Sequence, residues 1–202
     1  MRVLVACEFS GIVRDAFLAR GHDAMSCDLL PTESPGPHYQ GDVRDVIGNG
    51  WDLMIAHPPC TYLSNAGVRH LHSIPSRNGV LPKVYGEARW EAMREGAELF
   101  RDLLHAPIPR IAVENPIMHK YAIGEVGRKQ DQVVQPWMFG EPVQKAIALW
   151  LVGLPPLLAS GPMCEERHQL VRRMLPSPDR SHKRSVFFPG VAAAMADQWG
   201  TL

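Results

Sequence analysis

Short runs of apolar residues alternate along this chain with longer stretches in which apolar positions recur every three or four residues. The first pattern marks buried strands and the second amphipathic helices. Their alternation predicts an α/β fold with a mostly parallel sheet and helices on both faces. The apolar runs predict strands at Arg2–Cys7, Asp23–Cys27, Asp52–His57, Pro109–Val113 and Ala146–Val152. Between the first two, the stretch from Gly11 to Arg20 places Ile12, Val13, Ala16 and Phe17 on one helical face and stops at Gly21, completing a βαβ unit.

The clearest helix runs from Glu87 to His105. Trp90, Met93, Ala97, Phe100 and Leu104 form its apolar stripe, and Glu91, Arg94, Glu98, Arg101 and Asp102 occupy the rest. A last helix, Val191 to Trp199, buries Val191, Met195 and Trp199 on the same logic. Asn65 to Gly86 and Leu154 to Ser181 read as irregular. Long loops in a compact domain are usually functional, and the first of these directly follows Cys60, so residues 65–86 are expected to form a lid.

The 202 residues, 46% of them hydrophobic, suffice for an independent core, and a single domain over 1–202 is expected. Lys+Arg and Asp+Glu both number 21, so no global field draws the chain to a polyanion; a nucleic-acid partner would need a local basic patch. Cys7, Cys27, Cys60 and Cys164 show neither Cys-x-x-Cys pairing nor metal-ligand spacing, which argues against a metal site and against a secreted disulfide framework. Met1 to Ala6 enters a strand at once and no apolar stretch reaches membrane-spanning length, so a soluble cytoplasmic protein without a membrane partner is expected.

The chemistry concentrates where strands end. The strand through Ile55 delivers Cys60 at the end of a stiff Pro58-Pro59 turn, and the run Ile111-Ala112-Val113 delivers Glu114-Asn115-Pro116 in the same way. A thiol and a carboxyl at neighbouring strand ends make a nucleophile and a proton donor. The first strand runs through Cys7-Glu8-Phe9-Ser10-Gly11 into a helix, offering backbone amides to a nucleotide-like ligand; a plain tight turn fits the residues equally well. Asp28 ends the second strand where doubly wound folds place an acid on a ribose diol. Asp42 after Gly41 suits an adenine amino group or, as readily, a helix N-cap. Cys7, Cys27 and Cys164 read as small buried hydrophobes.

The order Phe9-x-Gly11, Asp28, Gly41-Asp42, Pro58-Pro59-Cys60, Glu114-Asn115 resembles that of the cytosine-C5 methyltransferases over most of residues 3–152. The wording around Ala56 to Gly67 and Phe139 to Trp150 is similar to the short members found among phage and prophage proteins. The resemblance implies a Rossmann-like class I methyltransferase fold, S-adenosyl-L-methionine as cofactor with S-adenosyl-L-homocysteine as product, and no metal. It implies that Cys60 attacks C6 of cytosine, Glu114 holds and protonates N3, and Asn115 helps fix the pair. Cofactor contacts implied in the same way are Glu8, Phe9, Ser10, Gly11, Asp28, Leu29, Asp42, Val43 and Pro58. Substrate contacts are Pro59, Ser64, Asn65, Arg69, Asn115, Pro116 and Lys145.

The family's DNA enzymes carry a large target-recognition segment before their last motifs, whereas here a short proline-rich stretch, residues 154–183, takes that place. Their glutamine-arginine motif is also not evident. Gln144-Lys145 is a partial stand-in, and the final motif shrinks to Arg184-Ser185-Val186. Base extrusion from a duplex requires groove and phosphate contacts. A neutral chain of this kind is better matched to a free cytosine nucleotide of the dCMP or dCTP class, its phosphates held by basic residues drawn from Arg69, His70, Arg77, Lys83, Arg180, Lys183 and Arg184. Methylation of DNA, alone or with a partner, is the first alternative; a non-catalytic cofactor-binding regulator is the second. A nicotinamide-dependent oxidoreductase is more distant, because the glycine fingerprint is missing. Nothing in the sequence fixes the oligomeric state.

Overall fold

A computed structural model describes residues 1–76, 78–169, 175, 177 and 179–202; one candidate phosphate contact, Arg77, lies outside the described residues. Seven strands form one sheet: β1 (Arg2–Ala6), β2 (Asp23–Asp28), β3 (His38–Gln40), β4 (Leu53–Ala56), β5 (Ile111–Asn115), β6 (Gln132–Val134) and β7 (Ile147–Val152). Their order is β3-β2-β1-β4-β5-β7-β6. β7 runs antiparallel to both β5 and β6, and the remaining neighbours pair in parallel. This is the mostly parallel, Rossmann-like α/β architecture expected from the sequence.

Both faces of the sheet are covered, which is why its central strands are apolar at every position. Leu4, Ala6, Met54, Ala56 and Val113 belong to one core, packed with Met93 and Phe100 of α2 (Gly86–Leu104) and Ala122 of α3 (Lys120–Val126). There the rings of Phe100 and Trp150 meet edge to face with centroids 4.9 Å apart. Val3, Val5, Leu53 and Ile55 face the second core with Phe17 of α1 (Ile12–Leu18) and Met195 and Trp199 of α5 (Pro189–Trp199).

The five predicted strands and three predicted helices are present, their ends shifted by a few residues. β3 and β6 were not legible, because three residues are too few to show a period. Nor were α3 and the six-residue α4 (Arg180–Ser185). The expected irregular stretch after Cys60 is partly ordered: Asn65–His72 winds into consecutive 3-10 turns that bury Leu71. No helix among the described residues is long and apolar enough to cross a membrane.

In strand order the chain turns one way from β1 through β2 to β3 and the other way through β4 to β5. The carboxyl ends of β1 and β4 therefore flank a topological switch point, where open α/β sheets bind ligands.

Candidate active site

At the end of β1 the backbone turns sharply. Cys7 takes a left-handed conformation, with φ 57°, and the next amide, Glu8 N–H, donates to the Cys27 carbonyl at 3.0 Å. A non-glycine residue in that region is uncommon and concentrates at ligand sites. The Glu8 carboxylate folds under the start of α1, accepting from Val13 N–H at 2.7 Å and Arg14 N–H at 3.2 Å. It satisfies amides that have no intrahelical partner and places negative charge at the helix N-terminus.

Gly11 has φ 77°, and a Cβ there would come within 2.5 Å of the Arg14 guanidinium. Arg14 is completely buried and donates to Ser26 Oγ, Thr32 Oγ1, Ser34 O and Pro35 O, clamping the loop that follows β2. Asp28, the last residue of β2, leads into that loop, and its Oδ1 accepts from Leu30 N–H at 2.9 Å.

Two adjoining cavities open along this edge. The smaller, about 210 Å³, is lined by Asp28, Leu29, Asp42, Val43 and Leu99. The larger, about 700 Å³, takes in Phe9, Pro58, Pro59, Cys60, Ser64, Glu114, Pro116, Lys145, Arg180 and Arg184. Cys7, Asp28 and Pro59 border both.

Of the cofactor candidates, Phe9, Asp28, Leu29, Asp42, Val43 and Pro58 thus line a cavity, whereas Glu8, Ser10 and Gly11 lie in the turn behind it. Asp42 does what its N-cap reading described: its Oδ1 accepts from Arg44 N–H at 2.9 Å at the start of the 3-10 turn Val43–Asp45. It also faces the small cavity.

The pairing of β4 with β5 builds the reactive end. Ala56 lies beside Val113, so the following positions, His57 and Glu114, are neighbours, and Nδ1 of His57 stands 3.4 Å from Oε2 of Glu114. Beyond His57 the Pro58-Pro59 turn carries Cys60 into the cavity. Burial pushes the Cys60 thiol up, and the Glu114 carboxylate raises it further; Lys145 and Arg184 pull the other way. Asn115 is fully buried beneath this turn, its Nδ2 donating to the Pro58 carbonyl at 3.2 Å.

The turn after Cys60 is held from three sides. The Cys60 carbonyl accepts from Leu63 N–H and Ser64 N–H at 3.2 and 3.0 Å. Arg89, buried on α2, donates to the Thr61 carbonyl at 2.9 Å and lies 5.0 Å over the Tyr62 ring. His119 Nδ1 accepts from Ala122 N–H, so its Nε2–H donates to the Tyr62 carbonyl, at 2.9 Å. Asn65 N–H reaches Ile117 O at 3.0 Å, but Asn65 and Arg69 line neither cavity.

Among the basic candidates, Arg180 and Arg184 border the larger cavity, while His70 and Lys83 do not. Lys183 pairs instead with Asp179. Lys145 Nζ donates to the Arg184 carbonyl at 3.3 Å, tying the segment before β7 to α4.

Sequence reasoning missed several lining residues. Cys7, read as a core hydrophobe, borders both cavities, because its backbone turn carries it out of the strand; burial pushes its thiol up to about 12. Cys27 fits the core reading, with no exposure. His57 and Phe187, whose ring centroids are 4.6 Å apart, also line the site. The position of His57 just before Pro58-Pro59 was the only available signal. Phe9 is covered by His182 of α4 at 4.9 Å between rings, and His182 in turn meets Glu33 at 2.9 Å.

No protein-family model matches the chain, and no curated protein matches it either. Solved structures with similarity to it include an E. coli prophage protein assigned as a DNA modification methyltransferase, at 14% identity and TM-score 0.44 over 75% of this chain. The Entamoeba histolytica methyltransferase EhMeth aligns at 13% identity and TM-score 0.48 over 90% of it. The S. pombe Dnmt2 methyltransferase aligns at 13% identity and TM-score 0.45 over 85%. The chain covers 46%, 62% and 53% of these three proteins respectively.

Proposed function

We propose that the protein is an S-adenosyl-L-methionine-dependent methyltransferase that methylates C5 of cytosine in a free nucleotide. The observation that carries this reading is the meeting of Cys60 and Glu114, from the ends of adjacent parallel strands, in one cavity that also holds Lys145, Arg180 and Arg184.

The chemistry asks for these groups. C5 of cytosine is a weak nucleophile. Addition of the Cys60 thiolate to C6, with a proton passing from Glu114 to N3, turns the ring into an enamine whose C5 is electron-rich. After methylation, loss of the C5 proton restores the C5–C6 double bond and expels the thiolate. The N3 proton then returns to Glu114. Asn115, by holding the Pro58 carbonyl, fixes the turn from which Cys60 reaches the ring.

The lining fits the cofactor. Among the described residues Asp28 has only Oδ1 engaged, by Leu30 N–H, which leaves an oxygen for ribose hydroxyls, and Leu29, Val43 and Leu99 offer apolar walls to a flat base beside Asp42. Phe9 borders the larger cavity, where the methionine portion would lie. When bound, S-adenosyl-L-methionine supplies an electrophilic methyl group. The cations of the same cavity suit a nucleotide phosphate.

Incubation with methyl-labelled S-adenosyl-L-methionine and, separately, dCMP, dCTP, CMP and cytosine-containing DNA tests the reading. Label is expected in a free cytosine nucleotide. Label in DNA alone, or in none of the substrates, overturns it.

A further inference from the structure

We infer that His57 is a positioning residue for Glu114, steadying the carboxylate that forms as Glu114 gives its proton to the pyrimidine. This rests on the cytosine chemistry proposed above. Three observations meet at one ring. His57 Nδ1 lies 3.4 Å from Glu114 Oε2, and each side chain retains 11% of its exposure. The other ring nitrogen, Nε2, is buried and has no hydrogen-bond partner among the described residues. The ring packs at 4.6 Å, tilted by 52°, on Phe187, which fixes its plane.

Nδ1 is therefore the ring's one engaged nitrogen. With the proton on Nδ1, the ring donates to Oε2 and leaves the other carboxyl oxygen to serve the substrate. A bare Nε2 lone pair in an apolar setting is also cheaper to bury than an unmet N–H.

The contact strengthens as the reaction proceeds. The step proposed above draws its proton from the protonated form of Glu114, and in that form the Nδ1–H bond to it is an ordinary one. As the proton leaves for N3 the carboxyl becomes anionic, and hydrogen bonds to charged acceptors are about twice as strong as neutral ones. An interaction stronger in the transition state than in the ground state raises the rate rather than the affinity. The 3.4 Å separation is long for a hydrogen bond, as ligand-free catalytic contacts often are. The charged side chains lining the same cavity are Asp28, Lys145, Arg180 and Arg184. Lys145 donates to the Arg184 carbonyl, and the polar side-chain contact of Glu114 among the described residues is His57.

Two substitutions separate donor from shape. His57→Phe keeps a ring on Phe187 and removes the donor; His57→Asn offers an amide N–H near the place of Nδ1. For the cytosine nucleotide that the wild type methylates, His57→Phe is expected to lower kcat about 10- to 100-fold with KM nearly unchanged. His57→Asn is expected to recover most of that loss. S-adenosyl-L-homocysteine binding, measured by calorimetry, should be the same in all three proteins, which shows that the cleft is intact. A wild-type rate in His57→Phe, or an equal loss in His57→Asn, overturns the inference.

Ring ¹⁵N spectra of the wild type above pH 8, where imidazole is neutral, read the contact without turnover. The proton is expected on Nδ1, and that bias is expected to vanish in Glu114→Leu. A proton on Nε2 in the wild type overturns the inference even if every variant behaves as expected. Absence of methylation of any cytosine substrate by the wild type is a different result: it removes the proposed function, and the spectra still decide whether His57 holds Glu114.

Discussion

Cys60, the nucleophile of the proposed reaction, sits in a setting that resists ionisation. Burial and then Glu114 favour the thiol, and Lys145, a backbone hydrogen bond and Arg184 oppose them. Because the raised pKa leaves thiolate scarce at neutral pH, methylation should accelerate as pH rises, and so should alkylation of Cys60 by iodoacetamide. Lys145→Met removes one opposing cation and is expected to move both rising limbs to higher pH. Coincident profiles for variant and wild type would show that Lys145 does not act on the thiol. Cys60→Ser is expected to lower methylation by about 10³-fold or more while S-adenosyl-L-homocysteine still binds. The 5-fluorocytosine form of the substrate should leave a stable adduct on Cys60, detectable by intact mass, since fluorine cannot depart as a proton does. At this scale the sequence was most informative for residues held by local chain stiffness: Pro58-Pro59 points Cys60, and strand register points Glu114. Cys7 packs against the core as read, but its place beside both cavities was not legible, because it depends on one backbone angle and sequence does not display angles.

Elements place these residues through a few buried polar ties. Arg89 is the plainest case, a cation 5% exposed on α2 that holds the Thr61 carbonyl, with one of its nitrogens unpartnered. Burying a cation without a carboxylate costs stability, and an apolar replacement of similar size is often neutral or better. Arg89→Met is therefore expected to leave the melting temperature unchanged or raised and to slow methylation about tenfold, because the turn after Cys60 loses an anchor. A parallel fall in both would make Arg89 a stability residue only. Gly11→Ala combines a left-handed backbone with a clash against Arg14 and is expected to cost about 1–3 kcal/mol in chemical denaturation. Strands and helices long enough to show a period were legible. Their ties were not, since an arginine inside a helical pattern reads as surface until the turn it grips comes into view.

Across the whole molecule the site draws on Phe9, Cys60, Glu114, Lys145 and Arg184, which share no local pattern. Motif order exposed the first three, and Lys145 and Arg184 were named as candidate substrate and phosphate contacts. The last two join them only because β7 returns antiparallel beside β5 and α4 lies against Phe9, arrangements set by tertiary packing. No described residue of 65–86, the stretch expected as a lid, lines the larger cavity.

α4 touches two parts of the larger chamber: its His182 rests on Phe9, and its Arg184 borders the space beside Cys60. Two ligands that each order one short helix must help each other, and thermodynamic reciprocity makes the help equal in both directions. Titrating the nucleotide with and without S-adenosyl-L-homocysteine, and then the reverse, should give one cooperativity factor of about five or more. In His182→Ala that factor should fall toward one, turning a concerted pair of binding events into two independent ones.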